Sequence, residues 1–268
     1  IALLCPNDMN NDLSQYSNQN ILVIGGAGFI GSNLVRKLVD LGANVTVVDA
    51  LIPNYGGNLY NLKDYEDKIR FILADICELS LANELVAEQN YLFNLAGQTS
   101  HLDSMRDPFT DQKNNVTARL SVLEACRYAN PEVRIIYTST RQIYGRPQSL
   151  PVKESHPLVP VDFNGVSEIA SEHYHNLYHS LFDLKITILR LTNVYGPRMR
   201  IKDARQNFIG KWIHQVIKGD EFHVFGDGLQ LRDVIFVEDV LDALLRTGLC
   251  QESIGEALNI SSSPISLL

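Results

Sequence analysis

Short apolar runs alternate with longer amphipathic segments from residue 20 to about residue 197. Runs of this length are typical of buried strands, and apolar residues spaced three or four apart are typical of helices packed on a sheet. Strict alternation predicts an α/β fold, a doubly wound parallel sheet with helices on both faces. The predicted strands are 21–24, 45–48, 69–74, 91–95, 133–137 and 186–191, and the two long helices are 107–129 and 164–182.

The turn after the first predicted strand is rich in glycine. A tight turn requires Gly25, close approach of a pyrophosphate requires Gly28, and packing of helix on strand requires Gly31. The second strand ends at Asp49, a carboxylate that would accept hydrogen bonds from both ribose hydroxyls and repel a 2′-phosphate. These residues, with Phe29 and Ile30 at the start of the helix, predict a Rossmann site that prefers NAD to NADP.

Composition restricts the classes of partner. The net charge is −8 and the isoelectric point is near 5.3, which argues against a general role in binding nucleic acid or membrane surfaces. No apolar run approaches the length of a transmembrane helix. Cys77 and Cys126 lie in apolar surroundings typical of reduced, buried thiols, which favours a cytoplasmic protein.

The chain divides into three predicted parts. Residues 1–19 form a polar, mobile N-terminal arm, and residues 20–197 form the Rossmann domain, with returning strands beyond it allowed. Residues 198–268 form a smaller substrate lobe with a helix over 206–218 and a short strand over 222–225.

Motifs along nearly the whole chain resemble the extended short-chain dehydrogenases that act on nucleotide sugars. The matching stretches include the glycine turn, Asp49, 94–97, 115–116, 138–145, 193–197 and 226–233. The resemblance implies bound NAD and a nucleotide-sugar substrate, and it implies that the substrate lobe is incomplete at its C-terminal end. It assigns the cofactor to Asp75, Ile76, Leu95, Ala96, Gly97 and Asn115, and the sugar nucleotide to Asn193 and Arg232.

The catalytic positions depart from the family pattern. The resemblance implies a hydroxyl at Thr140 and a Tyr-x-x-x-Lys pair, but Asn164 and Glu168 occupy the pair's positions. Asparagine cannot ionise, and a carboxylate at 168 opposes ionisation of a nearby acid, so little turnover is expected. Asn164 could instead be a helix N-cap, and Tyr137 and Tyr144 are expected to be structural.

The residues that follow Thr140 favour one branch of the family over another. Dehydratases, which eliminate water, carry an acid and a base directly after the hydroxyl residue, where this chain has Arg141 and Gln142. Epimerisation needs neither, so the expected activity is that of a UDP-glucose 4-epimerase-like enzyme. A catalytically silent NAD and nucleotide-sugar-binding protein and a dehydratase are the alternatives. The resemblance implies a homodimer in which the two long helices pair across a two-fold axis. The spacing of His175 and His179 is read as a solvated or packed helix face rather than a metal site, with no metal expected.

Overall fold

Parallel strands form the centre of the protein. The computed structural model describes residues 12–267 except 203–207, 222 and 225. Seven strands form one sheet in the order β10-β6-β5-β4-β1-β2-β3, and all their pairings are parallel. Two further pairs, β7 with β9 and β8 with β11, lie outside this sheet. In chain order the strands are β1 Asn20–Ile24, β2 Asn44–Asp49, β3 Ile69–Leu73, β4 Tyr91–Asn94, β5 Arg134–Thr140, β6 Lys185–Leu191, β7 Asn193–Tyr195, β8 Leu231–Arg232, β9 Val234–Phe236, β10 Ala257–Ile260 and β11 Ile265–Ser266.

Helices cover both faces of the sheet, as the alternating pattern predicts. In β1, Ile21 and Val23 point into one core and Leu22 and Ile24 into the other, because successive side chains of a strand point to opposite faces. The doubly wound fold is therefore confirmed. The helices are α1 Phe29–Asp40, α2 Leu79–Val86, α3 His101–Arg106, α4 Pro108–Gln112, α5 Ala118–Ala129, α6 Phe163–Phe182, α7 Phe208–Lys218 and α8 Val237–Leu249.

The predicted helix over 107–129 is continuous but not uniform. A π-helical turn, Lys113–Thr117, joins α4 to α5. This turn carries Asn115, which is fully buried. Single π turns inside helices are often found where a side chain must be re-aimed at a functional site.

The described part of the N-terminal segment is ordered, so the prediction of a mobile arm is wrong for residues 12–19. Tyr16 is completely buried, and its hydroxyl donates to the carbonyl oxygen of Leu245 in α8 at 2.7 Å. A Cβ on Gly248 would lie 2.2 Å from that hydroxyl, so a glycine leaves room for the ring. The burial of one large aromatic residue outweighs the polar composition around it. Residues 1–11 lie outside the described residues.

The C-terminal part is shared between the large sheet and small additions. β10 extends the seven-stranded sheet beside β6, and α8 packs on the same face as α1. The range 198–268 therefore includes a strand and a helix that return to the Rossmann sheet. Of the predicted strand over 222–225, positions 222 and 225 lie outside the described residues.

Candidate active site

The glycine turn lies at the carboxyl end of β1, where ligands bind in open α/β sheets. Gly25 has a φ of +79°, and a Cβ there would approach Ala96 to 2.9 Å. A Cβ on Gly31 would lie 2.2 Å from the carbonyl oxygen of Gly25, so helix and turn pack too closely for any side chain. Gly28 is different, since a Cβ there meets only one atom, at 3.2 Å. It precedes α1, whose N-terminus has no side-chain cap and so leaves backbone N–H groups for an anion.

Asp49 lies beside this turn. Its carboxylate accepts hydrogen bonds from the backbone N–H of Ala27 at 3.0 Å and of Leu51 at 2.9 Å. Burial raises its pKa, and these two hydrogen bonds oppose the shift. Each oxygen keeps a further lone pair for a ribose hydroxyl.

A first cavity opens on Asp49 and Gly28. Asp75 and Ile76 also line it. Burial acts to raise the pKa of Asp75, but hydrogen bonds, among them one from Lys113 at 2.8 Å, lower it overall. Of the other residues predicted to bind the cofactor, the cavity also contains Gly25, Leu95, Ala96 and Gly97.

A second cavity adjoins the first. The two share Gly25, Gly28, Tyr55, Leu95 and Gly97. The uncapped helix, the open side of Gly28 and the carboxylate of Asp49 fit a dinucleotide that runs from the first cavity into the second. The second cavity is also lined by Phe29, Ile30, Gly31, Thr140, Asn164, Glu168 and Asn193.

Asn164 is buried in a network of hydrogen bonds. Its Nδ2 donates to the carbonyl oxygen of Gln98 at 2.7 Å and to Oδ1 of Asp111 at 3.1 Å. Both partners are acceptors, which fixes the amide orientation, and Asn164 is one of the residues that line the second cavity. The N-cap of α6 is Asp162, whose side chain accepts from the N–H of Gly165 at 2.7 Å, so the N-cap interpretation of Asn164 is wrong.

Glu168 forms a buried ion pair that the sequence did not reveal. Both its oxygens meet the Arg119 guanidinium, at 2.9 and 3.0 Å, and each side chain is only 5% exposed. The hydroxyl of Tyr137 donates to Glu168 at 2.5 Å. Burial acts to lower the pKa of Arg119, but the charge of the Glu168 carboxylate helps to raise it overall. Arg119 thus neutralises the charge that Glu168 brings to this cavity. The guanidinium packs closely against Gly97, where a Cβ would lie 2.5 Å from Nη2 of Arg119.

A polar group lies at the other end of the second cavity. Thr140 ends β5, and its hydroxyl accepts from the N–H of Gln142 at 3.3 Å. Asn193 accepts from the guanidinium of Arg141 at 3.2 Å. Burial, with the positive charge of Arg232 nearby, lowers the pKa of Arg141. Arg232 itself is exposed and does not line the cavity, whereas Arg141 does.

Asn115 lies behind the site. Its Oδ1 accepts from the N–H of Gln98 at 2.8 Å and its Nδ2 donates to Asp111, so it holds the loop after β4 without lining either cavity. Asp111 is completely buried, and its Oδ2 has no hydrogen-bond partner among the described residues. No motif marks Asp111 or Arg119, because their roles depend on contacts between distant parts of the chain.

The remaining candidate side chains are structural, as predicted for both tyrosines. Tyr137 is fully buried, and burial raises its pKa well above the ordinary value. Tyr144 donates to Asn259 at 2.7 Å and accepts from Arg190 at 2.8 Å. His175 stacks on Tyr137 with ring centroids 4.1 Å apart, and burial lowers its pKa to about 3. His179 lies 2.9 Å from the carbonyl oxygen of Leu184.

Two features of the described residues complete the picture. Within them, no helix has the length and apolar character needed to cross a bilayer. Cys77 and Cys126 are free thiols, with Cys126 fully buried.

Comparison with known proteins identifies the family. Residues 21–261 match the sequence profile of the NAD dependent epimerase/dehydratase family. The UDP-glucose 4-epimerase of Mycolicibacterium smegmatis is 35% identical over 230 residues, which are 85% of this chain and 72% of that protein.

Solved structures agree. The UDP-N-acetylglucosamine 4-epimerase of Methanobrevibacter ruminantium, in complex with UDP-N-acetylmuramic acid, has a TM-score of 0.86 and 28% identity over 94% of this chain and 79% of that one. The UDP-glucuronic acid 4-epimerase of Bacillus cereus, in complex with UDP-glucuronic acid and NAD, has a TM-score of 0.83 and 29% identity over 92% and 79%. Matching sequence and fold over nearly the whole length show that this chain belongs to the NAD dependent epimerase/dehydratase family.

Proposed function

We propose that this protein is an NAD-dependent nucleotide-sugar epimerase that resembles UDP-glucose 4-epimerases. The observation that carries the proposal is the pair of adjoining cavities that meet at the glycine turn. One has the carboxylate and uncapped helix suited to a dinucleotide, and the other has hydroxyl, amide and guanidinium groups suited to a sugar diphosphate. The family profile and the epimerases with similar structures support the same function.

In this proposal the first cavity holds the adenosine of NAD. Asp49 accepts from the ribose hydroxyls, Asp75 and Ile76 flank the adenine, and α1 faces the pyrophosphate. When bound, NAD would accept a hydride from a sugar carbon and return it to the opposite face.

The second cavity holds the sugar nucleotide. Thr140 and the Oδ1 of Asn164 bind sugar hydroxyls, and Asn193 and Arg141 bind the diphosphate. Arg232 lies outside the cavity lining but close enough to lower the pKa of Arg141, and it supplies a further positive charge to the diphosphate. Glu168 is held in an ion pair with Arg119, so any hydrogen bond that it accepts from a ligand would add to that pair rather than replace it.

Mass spectrometry of ligands released from the purified protein tests this proposal. We expect NAD with a nucleotide sugar. Calorimetry should then show strong binding of NAD(H) and weak binding of NADP(H), since Asp49 would repel a 2′-phosphate. Equal affinities would contradict the role of Asp49, and the absence of both ligand classes would contradict the function.

A second candidate is a catalytically silent protein that binds the same ligands. The neutral Asn164 and the paired Glu168 favour it, because neither can act as the phenolate base of the family pattern. A coupled assay across UDP-, CDP- and dTDP-sugars separates the two candidates. A dehydratase is disfavoured, since Arg141 and Gln142 supply no carboxylate.

We also propose a homodimer that buries the exposed face of α6. Val166, Leu177 and Leu181 follow helical spacing on this face and are 53%, 51% and 66% exposed. Leu177→Glu with Leu181→Glu should give a monomer in sedimentation analysis. Leu229→Glu, at a residue 67% exposed elsewhere, is the matched control and should leave the dimer intact.

A cytoplasmic location is proposed from the acidic composition and the free thiols of Cys77 and Cys126. Cys250 is disulfide-bonded, which is the opposing observation, since reducing compartments rarely maintain such bonds. Fractionation of the source cells is the direct test.

A further inference from the structure

A buried ion pair forms part of the wall of the second cavity. Arg119 and Glu168 both line this cavity, and each side chain is only 5% exposed. A buried ion pair is often no more stabilising than apolar side chains of similar volume, because both charges must leave water. Stability alone therefore does not account for a charged pair at this place.

One acceptor position of the pair is open. Oε2 of Glu168 accepts hydrogen bonds from Nη1 of Arg119 at 2.9 Å and from the hydroxyl of Tyr137 at 2.5 Å. Among the described residues, Oε1 accepts only from Nη2 of Arg119, at 3.0 Å. Each carboxylate oxygen can accept two hydrogen bonds, so Oε1 retains one lone pair for a ligand that donates.

The guanidinium lies beside the segment that the two cavities share. Nη2 of Arg119 donates to the carbonyl oxygen of Ala96 at 3.2 Å, and a Cβ on Gly97 would lie 2.5 Å from the same nitrogen. Ala96 lines the first cavity, and Gly97 lines both. A ligand that passes from the first cavity into the second therefore passes this pair.

The order of groups in a dinucleotide determines which of them reaches the pair. In the proposed function the adenosine lies in the first cavity and the pyrophosphate faces the N-terminus of α1. The group that follows the pyrophosphate is the second ribose, which would enter the second cavity along the shared segment. Its two hydroxyls are hydrogen-bond donors, and the open lone pair of Glu168 is an acceptor.

The pair also matters for charge. The nicotinamide ring next to this ribose is cationic in NAD⁺ and neutral in NADH. Opposite charges joined at 2.9 Å largely cancel for a group farther away, so the intact pair discriminates little between the two forms. Arg119 without its partner would repel NAD⁺ and not NADH.

We propose that Glu168 binds the ribose that carries the nicotinamide, by accepting from its hydroxyls, and that Arg119 is the positioning residue for this carboxylate. The inference rests on the proposed function for the identity of the cofactor. At this position the family pattern has a lysine, which would donate to the same hydroxyls. In this chain the polarity of the contact is reversed, and the cation comes from α5 instead.

Calorimetry with three ligands of increasing length tests the assignment. ADP ends at the diphosphate, ADP-ribose adds the second ribose, and NAD⁺ adds the nicotinamide. Glu168→Gln should weaken binding of ADP-ribose and NAD⁺ by about tenfold or more, because a hydrogen bond to a charged acceptor is lost. The affinity for ADP should stay within about twofold of the parent's, since ADP does not reach the pair.

A second variant separates the hydrogen bond from the charge. Arg119→Met combined with Glu168→Gln leaves no unpaired buried charge, so it keeps the test available where Glu168→Gln alone does not fold. The combined variant should show the same loss for ADP-ribose, with the parent's ratio of NAD⁺ to NADH affinity. Glu168→Gln alone should shift this ratio toward NADH by about threefold or more, because the guanidinium is then unpaired.

Glu172→Gln is the matched control. Glu172 lies one turn further along α6 and forms a buried ion pair with Arg190 at 2.7 Å, but neither residue lines either cavity. The control should lose stability as Glu168→Gln does, because it also leaves a buried guanidinium unpaired. Its affinities for all three ligands should stay within about twofold of the parent's.

The outcomes separate this assignment from the proposed function. Equal losses for ADP, ADP-ribose and NAD⁺ in Glu168→Gln overturn the assignment, as do unchanged affinities or the same losses in Glu172→Gln. A loss confined to NAD⁺ also overturns it, since the pair would then meet the nicotinamide and not its ribose. A parent that binds none of the three ligands overturns both claims. The expected losses in a protein that binds no nucleotide sugar support the assignment and contradict the proposed function.

Discussion

Reversing the charge at position 168 should destabilise the protein rather than repair its active site. From the sequence, Glu168→Lys places an ammonium where the family pattern has one and would be expected to help NAD binding. In the structure the new ammonium meets the buried guanidinium of Arg119. The variant therefore replaces an attraction by a repulsion between two side chains that are each only 5% exposed.

The magnitude follows from the geometry of the pair. Two contacts of 2.9 and 3.0 Å join Arg119 to Glu168, and both side chains are 5% exposed. Breaking a buried pair by changing one partner costs about 3–5 kcal/mol, because an unpaired charge remains. At about 2–4 °C per kcal/mol, the melting temperature should fall by about 6–20 °C. Tyr137 also loses the acceptor for its hydroxyl.

A double-mutant cycle with thermal and urea unfolding measures the effect. Glu168→Lys and Arg119→Glu should each destabilise strongly, whereas the charge-swapped double variant should recover most of the loss. Glu168→Gln shows how much comes from losing attraction alone. A melting temperature of Glu168→Lys within about 2 °C of the parent would refute the reasoning.

The same geometry changes the design of a rescue experiment. Asn164→Tyr with Glu168→Lys should restore turnover only when Arg119→Met removes the competing cation. The triple variant should exceed the double variant in a coupled assay with the sugar nucleotide that the protein binds. Equal activities would show that Arg119 does not interfere.

Three further predictions concern separate parts of the molecule. Gly28→Val should abolish NAD binding in calorimetry while the fold is retained, and NAD binding by this variant would remove the turn from the site. Gly31→Ala should destabilise the fold instead, since a Cβ on Gly31 would lie 2.2 Å from a backbone oxygen. His175 has a pKa of about 3 in the folded protein against 6.5 ordinarily, so the unfolded state binds the proton first and stability falls as pH drops from about 6.5 to 3. In urea unfolding His175→Gln should flatten this slope by up to about 1.4 kcal/mol per pH unit, and an unchanged slope would contradict the assignment. Arg232→Ala should weaken nucleotide-sugar binding about tenfold without affecting NAD affinity, and an unaltered sugar-nucleotide affinity would exclude Arg232 from the site. The control Lys185→Ala, at the opposite sheet edge, should change neither the nucleotide-sugar affinity nor the NAD affinity.

The periodic apolar pattern determined the fold. Strands that are buried on both faces need nearly continuous apolar runs, so the strands from β1 to β6 were visible in the sequence. The glycine turn and Asp49 were equally visible, because a turn that approaches a phosphate and a carboxylate that meets a ribose are local requirements. The structure places Gly25, Gly28 and Asp49 around one cavity. The same local reasoning led the polar residues before β1 to be read as a mobile arm, although burial of Tyr16 against α8 holds residues 12–19 in place.

Only the tertiary structure decided the electrostatics of the second cavity. Arg119 and Glu168 are 49 residues apart and belong to different helices, so no spacing in the sequence indicates that they pair. The strength of such pairs depends on burial and distance, which are properties of the packed molecule. The sequence could therefore identify an altered catalytic position, but the partners that compensate for it became visible only when distant segments were brought together.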